Sequence, residues 1–304
     1  MEQSGARNYV GYGKHPPDPQ WPNAARVAIN FNLNYECGGE ANVLDGDAAS
    51  EGMLNDIGFP PVPGKRNPLA ESAFEYGSRV GVWRVLRMFA KFAVPLSILG
   101  VATALERNPE VAHACVEAGH EIVSHGYRWL DYHFIDEAQE REHIRLAIAT
   151  IERVVGARPV GWMTGRPGAN TRRLLVEAGG FLYDRDALND ELPYWVEVAG
   201  KPHLVIPYSY ETNDNRCDQS HGFAHADDLF HYLCDAFDLL YEEGAEHPKL
   251  MSIGLHDRLV GRPARAVGLI KFLDYVHGFD RVWFCRGIDI ARHWRQVHPY
   301  RAMA

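Results

Sequence analysis

Short apolar stretches alternate with longer amphipathic segments along most of this chain. Eight stretches have the length and composition of buried strands, and seven segments carry apolar residues at helical spacing. The predicted strands are 26–32, 96–101, 121–124, 160–164, 181–183, 204–208, 250–255 and 282–285. The predicted helices are 76–91, 104–118, 136–155, 171–178, 227–243, 262–276 and 288–296. Because strands and helices alternate, the pattern predicts an α/β protein with a buried, mostly parallel sheet.

A closed (β/α) barrel fits this order best, and an open doubly wound sheet is the alternative. No glycine-rich dinucleotide motif follows the first strand, which disfavours the open sheet. The chain shows no internal repeat, low-complexity tract or linker, so one domain is expected over 1–304. An N-terminal arm, 1–24, and a long loop, 40–73, fall outside the pattern. A loop of that length usually has a function, and we expect it to serve as a lid or at a subunit interface.

Composition narrows the classes of function. The chain has 304 residues, 46% of them hydrophobic, and a net charge of -9 without a basic cluster, so no nucleic-acid partner is expected. No apolar run is long enough to cross a membrane, and the first residues lack an apolar signal region, which predicts a cytoplasmic protein. The five cysteines are scattered and odd in number, so they are expected to be reduced.

Polar side chains stand where several predicted strands end. They are Glu36, His125, Arg166 and His256, with Asp257, Arg258 and Arg262 following the last of these. In a barrel these ends share one mouth, where a carboxylate, two imidazoles and guanidinium groups can activate water and hold an oxyanion. Each also has a structural alternative: a solvated loop carboxylate, a loop histidine, a clamp on carbonyl groups or a surface turn. Adjacent extended residues point to opposite faces, so Asp257 is not expected to hydrogen-bond to His256.

Several motifs together resemble one family along most of the chain. They are LNYECGGE (33–40), EYGSRVGVWR (75–84), SHGYRW (124–129), GWMTGR (161–166), NTRRLL (170–175), LPYW (192–195), TND (212–214), SIGLH (252–256), GRPAR (261–265) and DIARHW (289–294). The chain is similar to the polysaccharide deacetylase superfamily, and most similar to the metal-independent allantoinases within it. The resemblance implies a distorted (β/α)7–8 barrel, hydrolysis of a cyclic amide, and a homo-oligomer, typically a tetramer.

The same resemblance suggests roles for individual residues. Catalysis is expected from Glu36, His125, Arg166 and His256, with either Glu36 or His256 as the general base. The substrate pocket is expected to include Tyr35, Arg79, Trp129, Trp195, Asn213, Asp214 and Arg262.

The metal-binding pattern of the wider superfamily is not kept. Metal-bound deacetylases carry an aspartate at the end of strand one and two histidines four residues apart. Here the strand-one positions are Asn32, Leu33 and Asn34, and Trp129 stands four residues after His125. A catalytic zinc normally needs three protein ligands, so no metal or other cofactor is expected. Zinc would remain possible only if His133 or Glu36 joined His125.

The leading hypothesis is hydrolysis of allantoin to allantoate, with a small cyclic ureide or imide as the substrate and no membrane partner. A cyclic imide hydrolase, an amino-sugar N-deacetylase and a catalytically inactive barrel are the alternatives. Three further departures from the allantoinases could change the ring preference: Asn32 for an aliphatic residue, Asp257 for cysteine, and 215–217, which read Asn-Arg-Cys.

Overall fold

The computed structural model describes residues 7–56, 58–219 and 222–301. Its strands are β1 Val27–Tyr35, β2 Leu96–Gly100, β3 Glu121–Ser124, β4 Gly161–Trp162, β5 Tyr183–Asp184, β6 Tyr194–Val198, β7 Lys201–Val205, β8 Lys249–His256 and β9 Val282–Phe284. Its α-helices are α1 Pro68–Tyr76, α2 Val82–Phe92, α3 Ala102–Arg107, α4 Pro109–Glu117, α5 Glu137–Val155, α6 Thr171–Ala178, α7 Ala226–Glu243, α8 Pro263–Val276 and α9 Gly287–Val297.

The sheet is parallel apart from one hairpin. Its strand order is β6-β7-β5-β4-β3-β2-β1-β8, with β9 pairing with the first residues of β1. The antiparallel pair is β6 and β7. The α/β assignment is therefore confirmed, but β6 was not predicted.

The sheet curls into a distorted barrel that is incompletely closed. Among the described residues no ladder joins the two ends of the strand order. A single bridge, Asn213 with Gly254, connects the segment after β7 to β8. The predicted barrel is confirmed in its distorted form, whereas full closure is wrong. Because of this bridge, residues 213–218 lie beside the carboxyl end of β8.

Strand β1 lies at the centre of the molecule, and all nine of its residues are buried. Period-two geometry places Ile29, Phe31 and Leu33 on the face that packs against the helices, where Phe31 meets Phe89 and Phe272. Asn32 and Asn34 point into the barrel. There their NH2 groups donate to carbonyl groups of β8, to Ser252 and to Tyr208, whereas Asn32 Oδ1 finds no partner among the described residues.

Two predicted helices differ from the observed ones. The predicted helix 104–118 breaks before Pro109, because Asn108 takes the extended φ of −137° that suits a residue preceding proline. The helix predicted from residue 76 is preceded by α1 and by a π-helical turn, Gly77–Gly81. In that turn a Cβ on Gly81 would lie 2.1 Å from the Asp257 carbonyl oxygen, so only glycine permits this contact.

The N-terminal arm and the long loop both lie against the barrel. Trp21 is buried beside Trp283 and Trp294, and its indole donates to the Lys249 carbonyl oxygen. The first six residues of the arm and residue 57 of the loop are outside the described residues. No helix in the described part of the chain is long and apolar enough to cross a bilayer.

Candidate active site

Three predicted catalytic side chains meet at the carboxyl ends of β1, β3 and β8. Glu36 follows β1, His125 follows β3 and His256 is the last residue of β8. All three are at most 4% exposed. His125 Nε2 lies 3.1 Å from Glu36 Oε1, and His256 Nε2 lies 3.7 Å from the same oxygen. One carboxylate oxygen is therefore shared by two imidazoles.

The hydrogen bond of His125 Nδ1 determines which ring nitrogen carries hydrogen. His125 Nδ1 is 2.7 Å from the Met163 carbonyl oxygen, and a carbonyl oxygen only accepts, so Nδ1 carries hydrogen. The contact between Nε2 and Glu36 then needs a proton of its own. His125 and Glu36 therefore share one proton that either group can hold.

His256 is held by a different partner. Its Nδ1 lies 2.6 Å from Asp214 Oδ1, while Asp214 Oδ2 accepts the backbone N–H groups of His256 and Val260 at 2.8 and 3.0 Å. A carboxylate accepts, so Nδ1 donates and a neutral His256 keeps an unprotonated Nε2 directed toward Glu36. Asp214 was expected in the substrate pocket; it is fully buried beneath the imidazole and orients it.

Arg258 is the permanent cation of this cluster. Its Nη2 lies 2.6 Å from Glu36 Oε2, and both side chains are buried. Burial alone raises the pKa of Glu36, but Arg258, His256 and His125 outweigh burial and hold the pKa of that carboxyl well below its usual range. Glu36 is thus a stable anion and a weak base.

Asp257 has no direct contact with the histidines among the described residues. Its Oδ1 accepts from Cys37 Sγ at 3.0 Å and from the Arg258 backbone N–H at 2.7 Å. Burial raises its pKa to about 6, although Arg258 acts in the opposite direction. The expectation that Asp257 is not the partner of His256 agrees with these contacts. Since Cys37 and the Arg258 backbone take up Oδ1 of Asp257, we expect its departure from the related sequences to act through these neighbours.

Arg166 stands on the other side of the mouth. Its guanidinium lies over the Trp129 ring at 4.1 Å and donates to Glu51 Oε2 and to the Trp129 carbonyl oxygen. The turn before it is fixed because Asp186 accepts the backbone N–H groups of Thr164 and Gly165 at 2.9 and 3.0 Å. Glu51 belongs to the long loop, so this loop contacts a predicted catalytic residue.

Trp129 also lies in the cluster, with its ring 5.2 Å from the Arg258 guanidinium. Asn213 is buried near the end of β8; its side-chain NH2 donates to the Tyr208 hydroxyl at 3.1 Å and its side-chain oxygen caps the turn that carries Asp214. Trp129 can still line a pocket, whereas Asn213 acts mainly as a cap.

Four predicted pocket residues lie elsewhere. Tyr35 points to the helix side of β1, since it neighbours the inward Asn34 and Glu36, and bonds to Ser78. Arg79 is exposed and pairs with Glu75 one helical turn away. Arg262 stacks on Tyr76 at 3.7 Å.

Trp195 is the fourth. It lies on β6, where its indole donates to the His298 carbonyl oxygen and its ring packs on Tyr300. Motif membership suggested three of these residues for the pocket, and the position after a strand end suggested Arg262. The side chains of all four have partners elsewhere in the fold.

The side chains present do not fit the metal implied by the wider superfamily. His125 has both ring nitrogens occupied, by Met163 and by Glu36, and Arg258 already lies on the other Glu36 oxygen. His133 is exposed and bonds to Asp131, so it does not join His125. Within the described ranges no group of three His, Cys, Asp or Glu side chains could hold a metal ion. A divalent cation would have to compete with a guanidinium for Glu36.

Arg258 was expected at this strand end, but its pairing with Glu36 and the role of Asp214 were not predicted. Three polar residues in succession end β8, and strand periodicity does not tell which of them turns inward once the strand has ended. The position of Asp214 depends on the isolated bridge to Gly254, a long-range pairing without a local sequence signal.

Comparisons with known proteins agree with this fold. The family model described as "Polysaccharide deacetylase" matches residues 65–179, and so ends before Asp214, His256 and Arg258. A protein of Schizosaccharomyces pombe named "Putative polysaccharide deacetylase" is 40% identical, with 97% of this chain and 99% of that protein covered.

Two crystal structures match over 97% of this chain and 99% of theirs, each with a TM-score of 0.95. One is described as PuuE allantoinase and is 56% identical; the other is described as a probable polysaccharide deacetylase from Pseudomonas aeruginosa PAO1 and is 55% identical. With identity at this level over nearly the whole length, the chain belongs to the polysaccharide deacetylase family.

Proposed function

We propose that this protein is an allantoinase, which opens the five-membered ring of allantoin to give allantoate. The coarser statement, that it is a hydrolase acting on C–N bonds, rests on its family and on its similarity to PuuE allantoinase. The observation that carries the finer proposal is the shared oxygen of Glu36, with one imidazole prepared to accept a proton and the other prepared to donate one. Ring opening by water needs both steps.

His256 is the general base in this proposal. Its Nε2 is unprotonated because Asp214 takes the hydrogen on Nδ1. It removes a proton from water while the water oxygen bonds to a ring carbonyl carbon, and the carbonyl becomes a tetrahedral oxyanion. Glu36, which was the other candidate base, is unsuited because its pKa is held low by Arg258.

The His125–Glu36 pair supplies the proton for the second step. As the ring C–N bond breaks, the leaving nitrogen takes the bonding electrons and accepts the shared proton, and the oxyanion returns to a carbonyl. Arg166 is the candidate donor to the oxyanion, since its buried Nε finds no hydrogen-bond partner among the described residues. The Trp129 ring packs against the guanidinium of this arginine.

A panel of amides tests the proposal. The protein is incubated with allantoin, hydantoin, dihydrouracil, succinimide and an N-acetylated chitooligomer, and the products are identified by NMR. We expect allantoate to form from allantoin at the highest kcat/KM. Preferred turnover of succinimide or release of acetate from the oligomer would replace the proposal by the imide hydrolase or the deacetylase, and no turnover of any compound would indicate an inactive barrel.

A further inference from the structure

Arg258 has surroundings that a structural arginine rarely has. It is 1% exposed, its guanidinium lies between the rings of Phe74 and Trp129 at 4.5 and 5.2 Å, and its Nε donates to the Leu54 carbonyl oxygen at 2.6 Å. Glu36 is the nearest carboxylate, at 2.6 Å, while Asp257 Oδ1 is 4.0 Å from Nη1. A buried cation is thus fixed from three sides and directed at one carboxylate.

The position of this cation relates it to the missing metal site. Trp129 stands four residues after His125, where the metal-bound members of the superfamily carry their second histidine, and its ring faces Arg258. We propose that the Arg258 guanidinium is a positioning group that takes over the electrostatic role of a divalent ion, holding Glu36 ionised so that the shared proton stays on His125. This deepens the proposed function and rests on it for the use made of that proton.

The consequence for catalysis is a defined starting state. With Glu36 anionic, the shared proton lies on His125 Nε2, from which it can pass to the leaving nitrogen. Without the guanidinium, Glu36 would be a buried carboxylate and would take the proton itself, since burial disfavours the charged form. A protonated Glu36 would leave His125 without the hydrogen that the leaving nitrogen needs.

Carboxyl NMR tests, without substrate, whether Arg258 keeps Glu36 ionised. Protein labelled with 13C at the glutamate side-chain carboxyl is titrated, and the Glu36 signal is assigned by its loss in Glu36→Gln. We expect the wild-type signal to stay in the ionised range from pH 5 to pH 9 and the Arg258→Met signal to titrate within that interval. Arg258→Lys, which keeps the charge, should behave as the wild type.

Arg185→Met is the matched control. Arg185 is also fully buried in the barrel, but its partners are the neutral groups of Asn30, Ser252 and Pro207. Its loss should leave the Glu36 signal ionised. If Glu36 stays ionised in Arg258→Met, or titrates equally in Arg185→Met, the specific role of Arg258 is wrong.

Kinetic measurements test whether Arg258 affects the proton transfers of catalysis. Removing a positive charge raises the pKa of His256 and of the His125–Glu36 pair. Both limbs of the pH profile of kcat/KM should therefore move to higher pH in Arg258→Met. In Arg258→Lys, which keeps the charge, they should stay in place. In Arg258→Ala, ethylguanidinium should restore at least tenfold activity, whereas the neutral isostere ethylurea should not. A fall in kcat without movement of the limbs and without rescue would indicate a merely structural arginine.

The two proposals fail in different ways. If wild-type protein opens no cyclic amide while the Glu36 signal responds to Arg258 as described, the function is wrong and the role of the cation stands. If allantoin is hydrolysed but Glu36 does not respond, the function stands and the role of Arg258 is overturned.

Discussion

His125 and His256 face the same oxygen of Glu36, yet their remaining ring nitrogens meet different acceptors. The Met163 carbonyl oxygen holds the hydrogen on His125 Nδ1, and the Asp214 carboxylate holds the hydrogen on His256 Nδ1. The difference lies at Nε2, where only His125 is within hydrogen-bond distance of Glu36. Two residues of the same type therefore receive opposite roles in proton transfer from their surroundings.

Asp214→Asn tests this assignment at the residue scale. The Asn side-chain oxygen can still accept the two backbone N–H groups, but its NH2 group then faces His256 Nδ1 and moves the ring hydrogen to Nε2. We expect kcat to fall by about 10²–10⁴-fold, the usual contribution of a general base, with the fold kept. In His256→Ala, kcat should fall by a similar factor.

Asp257→Asn is the matched control. Asp257 lies next to His256 in the chain but bonds to Cys37 and to the Arg258 backbone, so kcat should change less than tenfold. Steady-state kinetics and circular dichroism measure all three variants. Near wild-type kcat in Asp214→Asn would show that His256 is not the base.

The long loop is the element that completes the mouth. Its Glu51 accepts from Arg166, its Leu54 carbonyl oxygen accepts from Arg258, and its Asp47 pairs with Arg128 at 2.6 Å. Three arginines around the site are thus held by one segment. That the loop acts as a lid or at a subunit interface remains a prediction.

Glu51→Gln tests the loop at the element scale. The change keeps the shape of the side chain and removes the charge that holds Arg166. Since a hydrogen bond between charged groups contributes about 1.5–3 kcal/mol, we expect kcat/KM to fall by about tenfold or more, mostly through kcat, because Arg166 is assigned to the oxyanion of the transition state.

Glu71→Gln is the control for this change, because Glu71 pairs with the exposed Arg66 in the neighbouring part of the chain. Steady-state kinetics on both variants, with thermal unfolding as the check on folding, decides the matter. Equal kinetics in the two variants would mean that the loop does not position Arg166 for catalysis.

At this scale the sequence predicts the strand ends well and the directions of side chains poorly. Glu36, His125 and His256 each end an apolar strand, and a barrel brings such ends together whatever the details of the loops. Tyr35 is an example: period-two geometry places its side chain on the face of β1 opposite to Glu36, where it bonds to Ser78. Asp214 could not be placed, since its position depends on an isolated bridge between segments 41 residues apart.

Over the whole molecule, polar side chains occupy the interior of the barrel where β1, β3 and β8 end. That the protein works without a metal remains a prediction. The side-chain NH2 groups of Asn32 and Asn34 on β1 donate to β8 and to Tyr208, while Asn32 Oδ1 has no hydrogen-bond partner among the described residues. The negative charge of Glu36 lies directly after β1 and pairs with Arg258. A homotetramer and a cytoplasmic location remain predictions.

Hydrolysis of allantoin by protein stripped of metal is the most direct measurement of the central claim. The protein is treated with a chelator and desalted, its metal content is determined by mass spectrometry, and allantoate formation is followed by NMR in the presence of fresh chelator. We predict that the chelator-treated protein keeps the kcat/KM of the untreated protein while it contains far less than one transition-metal ion per chain. Loss of activity on chelation with recovery on adding zinc would contradict the account, and so would the absence of allantoate in both samples.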